Sequence, residues 1–176
     1  CLSMKTKFAF LFAVSVILTA CCDEPVQPTS VPLATNTGEN QLACKIDDEI
    51  YIHHNCYGMH GSFDLVGSFY TPDSTFWINS ANNQHFDNHV TIEMRLYDVY
   101  ELGTYQLYNY HGNSSPMQGY DGKPWLLDTL QTHEIEFTTF DTVANIYAGN
   151  FEFYCIDGTD SSNVIHISEG WFDLGN

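Results

Sequence analysis

Val90-Thr91-Ile92-Glu93-Met94-Arg95-Leu96-Tyr97 decides the fold class. Val90, Ile92, Met94 and Leu96 alternate with Thr91, Glu93, Arg95 and Tyr97. Successive side chains of a strand point to opposite faces, so this period of two predicts a strand with one face in a core and the other toward water. The same alternation recurs on both sides of it. Leu42, Cys44 and Ile46 run into Asp47-Asp48 and then Ile50 and Ile52, which reads as a hairpin. A second pair, 63–70 and 75–80, flanks Pro72-Asp73. Gly103 leads into Tyr105 and Leu107, which face inward and turn Gln106 outward. Ile135 and Phe137, then Phe151, Phe153 and Cys155, then Ile165 and Ile167 continue the pattern, and Trp171-Phe172 closes it. The stretch 111–128, with Gly112, Pro116, Gly119, Gly122 and Pro124, reads as a long loop. The expectation is an all-β domain over 42–176, an antiparallel β-sandwich or a meander barrel of about nine short strands.

The N-terminus has a different character. Lys5 and Lys7 form a short positive region after Met4, the expected start, and 8–20 carries no charge. An apolar run of this length is too short for a transmembrane helix, which needs about 20 residues, and suits the helix of a secretory signal peptide over 1–20. It ends at Leu18-Thr19-Ala20-Cys21, which resembles a lipobox. That resemblance implies cleavage before Cys21 and acylation of its thiol, hence a membrane partner through a lipid anchor in the envelope of a Gram-negative bacterium, with the outer membrane as the expected address. Asp23 and Glu24 resemble the surface-export signals of some Gram-negative lineages. Pro25, Pro28 and Pro32, among Thr, Ser, Asn and Gly, make 21–41 an expected anchor and flexible tether.

Charge excludes one class of partner. All 22 acidic residues follow Cys21, and only Lys45, Arg95 and Lys123 oppose them. Such a chain repels the phosphates of nucleic acid and anionic headgroups. Its ordinary meaning is a solvated exterior.

Several stretches quoted above carry a resemblance. Leu33-Ala34-Thr35 with Cys44-Lys45-Ile46-Asp47, Gly103-Thr104-Tyr105-Gln106-Leu107, Gly149-Asn150-Phe151-Glu152-Phe153 and Ile165 to Asp173 resemble a family of small β-rich bacterial lipoproteins of unknown function. The resemblance implies the lipoprotein address and the β fold, and no activity. Its members often carry Arg where Trp171 stands. Cys44 fits the family's first strand, whereas Cys56 and Cys155 are additions to the pattern, so the resemblance implies a Cys56–Cys155 disulfide in an exported domain. Strand parity offers the alternative pair Cys44–Cys155.

Three constellations are candidate sites. In Thr132-His133-Glu134-Ile135-Glu136-Phe137-Thr138, Glu134 and Glu136 share a strand face about 6.5–7 Å apart. That spacing is near what a glycosidic bond needs between two carboxylates. Glu134 and Glu136 nevertheless alternate with Ile135 and Phe137 as on any half-buried strand. His53, His54, Cys56 and His60 are a loose set of zinc- or copper-type ligands. Their spacing matches no closed site, and Asp157, Asp160 and Ser161 lack a calcium-loop order. Tyr108, Tyr110, Tyr120 and Trp125 form a possible aromatic surface for a glycan or peptide, against the plainer reading of cross-strand pairing. No nucleophile motif, phosphate loop or dinucleotide fingerprint appears, and no cofactor is expected. The expected function is a non-catalytic binding or structural module, with a glycan- or peptide-acting hydrolase as the alternative.

Overall fold

A computed structural model describes residues 28–53, 57–58, 61–62, 65–70, 74–82, 90–107, 117–118 and 124–175. The expected signal peptide over 1–20 and Cys21 lie outside these residues. The described part is all-β and antiparallel, with two layers packed face to face. Nine strands fall where alternation places them: β1 (Gln41–Ile46), β2 (Glu49–Ile52), β5 (Val66–Tyr70), β6 (Thr75–Asn82), β7 (Val90–Leu96), β8 (Gly103–Gln106), β11 (Glu134–Asp141), β12 (Ile146–Asp157) and β13 (Val164–Leu174). Four more are short: β3 (Tyr57–Gly58), β4 (Gly61–Ser62), β9 (Met117–Gln118) and β10 (Pro124–Leu127). The last two correct the reading of 111–128 as loop throughout.

β7 alternates buried and half-buried residues along its whole length, as its sequence requires. The first strand of the domain closes on the last, since β1 pairs with β13 as well as with β2. β12 is the long central strand. Along one edge it pairs with β13. Along the other it pairs first with β11 and then, beyond Tyr154, with β10. From β10 the sheet continues through β9, β7 and β6 to β5. That path folds β5 and β6 over β11, β12 and β13. Phe76 of β6 meets Phe137 edge-on at 4.8 Å and also touches Phe172, and Phe69 of β5 meets Phe140 at 5.3 Å. Edge-to-face rings pack beyond simple area burial by about 0.5–1.5 kcal/mol a pair. Glycine is required at 149 and 170, where an added Cβ would strike the rings of Phe172 and Phe151.

One part of the expected tether is not loose. Asp173 is fully buried, and its carboxylate accepts from Thr35 Oγ1 (2.7 Å), Thr37 N (3.1 Å), Gly38 N (2.8 Å) and Glu39 N (3.2 Å). Trp171 Nε1 donates to the Pro32 carbonyl at 2.9 Å, and Gly175 N donates to Asn40 Oδ1 at 2.9 Å. Residues 32–40 therefore form a strap over the outer side of β13 before the chain turns into β1. Burial accounts for this: a desolvated carboxylate demands donors, and the strap supplies them.

Candidate functional site

β10, β12 and β13 place a row of apolar side chains on the outside of the sandwich. Leu127 and Cys155 point into the core, so their neighbours Leu126 and Ile156 point out. Leu126 stands opposite Ile156, and Ile156 opposite Val164. Leu126 is 38% exposed and Val164 46%. The next outward row is aromatic. Tyr154 pairs with His166, and their rings stack in parallel with centroids 4.2 Å apart. The third row is acidic. Glu152 lies opposite Glu134, which in turn lies opposite Gln106. Gln106 Nε2 donates to Glu134 at 2.9 Å, and His166 Nε2 meets Glu152 Oε1 at 2.7 Å. Both carboxylates are solvent-exposed. Two like charges placed opposite each other on neighbouring strands cost stability. Among the described residues the basic side chains are engaged elsewhere, Lys45 with Glu169 and Arg95 with Glu93.

The expected site residues fall in several places. Glu134 and Glu136 do share a face, and it is this outer face, where both are exposed and no cleft forms among the described residues. Trp125 corrects its expectation. It stands two residues from the inward Leu127 and opposite the buried Asp157, and packs half-buried against the core. Tyr108, Tyr110 and Tyr120 lie outside the described residues. So do His54, Cys56 and His60. His53 is buried, with Nδ1 3.0 Å from Ser80 Oγ, which also shares a 2.8 Å hydrogen bond with Tyr51 Oη. This chain of polar groups joins β2 to β6 in the interior, and burial pushes the Tyr51 phenol well above its usual range. Ser80 is fully buried and its oxygen is held from two sides, so it is not presented to a substrate. Asp157 and Asp160 each turn an oxygen back to cap their own loop, through Thr159 and Ser162 respectively. Among the described residues no three His, Cys, Asp or Glu side chains converge as a metal site.

The cysteine expectation also changes. Cys44 and Cys155 are both free, buried thiols, and burial raises both well above the ordinary thiol range. β13 runs between their strands, which separates them by at least about 9–10 Å, beyond the reach of a disulfide. Cys56, the other expected partner of Cys155, lies outside the described residues.

His133 is a residue that sequence reasoning passed over. It sits where β12 changes partner from β11 to β10. Tyr154 N donates to His133 Nδ1 at 3.3 Å, and His133 Nε2 donates to the Asp128 carbonyl at 2.6 Å. The ring thus stands in for a missing strand and fixes the outward pose of Tyr154. Leu126, Tyr154, His166 and Val164 were also missed as a group. Each looks ordinary on its own strand, and only the cross-strand register joins them.

No protein-family model, no curated protein and no solved structure matches this chain.

Proposed function

We propose that the chain is an exported lipoprotein, held at the cell envelope through Cys21, whose β-sandwich works as a non-catalytic binding module. The outer face of β10, β12 and β13 is its contact surface. One observation carries the reading: Leu126, Ile156 and Val164 form an unbroken apolar row across three strands on the outside of a strongly acidic chain. A soluble domain seldom keeps contiguous apolar side chains facing water unless something contacts them. The open setting of Glu134 and Glu136 also favours binding over hydrolysis, since an acid–base pair needs a water-poor cleft to drive its pKa values apart.

The test has two parts. Cys21→Ala should leave the chain unprocessed or released from membranes. Full-length protein in detergent should then be applied to glycan and peptide arrays and assayed with glycosidase and esterase substrates. Retention of a ligand without turnover, lost in Val164→Glu, is the expected result. Turnover abolished by Glu134→Gln or Glu136→Gln would replace the binding reading with the hydrolase one.

A further inference from the structure

Three rows follow one another along the outward side of β12: Glu152, Tyr154 and Ile156. Residues i and i+4 of a strand stand about 13 Å apart. An acidic end and an apolar end are therefore separated by the length of a short extended peptide. The acidic end is doubled, because Glu134 faces Glu152 across the strand pair. Gln106 meets Glu134 without bringing a charge, His166 meets Glu152 alone, and Lys45 and Arg95 are engaged by other carboxylates, so a cation from outside the chain complements the facing pair best. The apolar end is widened by Leu126 and Val164 on either side of Ile156. Tyr154 lies between the two ends, its ring fixed against His166 and its backbone held by His133. A face already in its binding pose loses little freedom on association.

From this we infer that the face takes an extended peptide segment in which a lysine or arginine lies about four residues from an aliphatic side chain. The cation sits between Glu134 and Glu152, and the aliphatic group covers Ile156 and its neighbours. This inference rests on the binding-module reading and names its partner class. A glycan has no cation to meet the paired carboxylates. Anionic lipid is repelled by them.

The probes are synthetic peptides with one Arg and one Leu at spacings from adjacent to six apart, alongside Glu-for-Arg and Ser-for-Leu controls and a glycan array. Full-length protein in detergent is titrated against each. The Arg-x-x-x-Leu spacing should bind best, and added salt should weaken it because exposed charges are screened. Glu152→Gln and Val164→Thr should each weaken binding about fivefold to tenfold. Glu134→Gln should weaken it similarly while leaving the melting temperature equal or higher, which a merely structural glutamate would not do. Equal binding of all spacings, or no effect of Glu134→Gln and Glu152→Gln, would overturn the inference. Retention of glycans in place of peptides would overturn it and leave the binding module standing. Turnover of a hydrolase substrate would remove both.

Discussion

Tyr154 gives its backbone N–H to the ring of His133, not to a neighbouring strand. The bond lies at the fork where β11 leaves β12 and β10 takes over, and the far side of the same ring holds the Asp128 carbonyl. His133 is buried, so without it the Tyr154 N–H would be stranded, while the Asp128 carbonyl would keep the Gln131 N–H at 3.1 Å. An unpaired buried polar group costs about 1–3 kcal/mol. His133→Ala should therefore destabilise the domain by about 1–3 kcal/mol, read as a lower urea midpoint at unchanged slope. His133→Asn, which keeps an acceptor near the Nδ1 position, should recover part of that loss.

Asp173 makes a comparable claim for the strap. Its carboxylate takes three backbone N–H groups and one hydroxyl while fully buried. Asp173→Ala should cost about 3 kcal/mol or more, since hydrogen bonds to charged groups contribute about 1.5–3 kcal/mol each and do not add fully. Amide exchange should rise at Thr37, Gly38 and Glu39 before it rises in β1. Uniform exchange across the strap and β1 would show that the strap is not a separate unit.

Asp141 caps the turn between β11 and β12. It accepts from the N–H groups of Ala144 and Val143, which hold its carboxyl below the usual value of 3.8. The folded value lies below the unfolded one, so the charged form stabilises the fold above the unfolded pKa. That contribution is lost as pH falls through the folded pKa. Asp141→Ala should lower the melting temperature at pH 7, and the gap to the parent should close in strongly acidic buffer. A gap that stays constant with pH would refute the capping role.

Cys44 and Cys155 should resist thiol reagents in the native protein. Burial raises both thiols, so little thiolate is present, and neither is reachable. Both should alkylate fully once the chain is unfolded without reductant. Recovery of Cys155 joined to Cys56 would contradict the free thiol and restore the disulfide that the sequence suggested.

Alternation made most of the fold legible. Val90 to Leu96 states its two faces outright, and the Asp47-Asp48 hairpin is plain because Asp47 tolerates the positive φ (54°) its turn requires. β9 and β10 were hidden by the Pro116, Gly119 and Gly122 that flank them in sequence and by Pro124. Missing β10 also misplaced Trp125, whose parity follows from the register of β10 on β12. The contact face was illegible for a different reason. Leu126, Ile156 and Val164 come from three strands, and only register makes them neighbours. Asp173 hid in the same way. It lies on a run of buried residues, and nothing in Gly170-Trp171-Phe172-Asp173-Leu174 says that a distant threonine will cover it.

The strap has a mechanical consequence. If the chain is anchored at Cys21 as proposed, tension from that side reaches Pro32 before it reaches any strand. It meets the Trp171 bond first, then the bonds to Asp173 in turn from Thr35 to Glu39. Loaded one after another, these bonds unzip at low force instead of resisting together. Peeling residues 32–40 releases about 30 Å of chain. With the proposed anchor in place, the strap would act as a reserve of slack ahead of the sandwich, expected to yield under load before β1 parts from β13 and to rewind onto Asp173 when the pull ends.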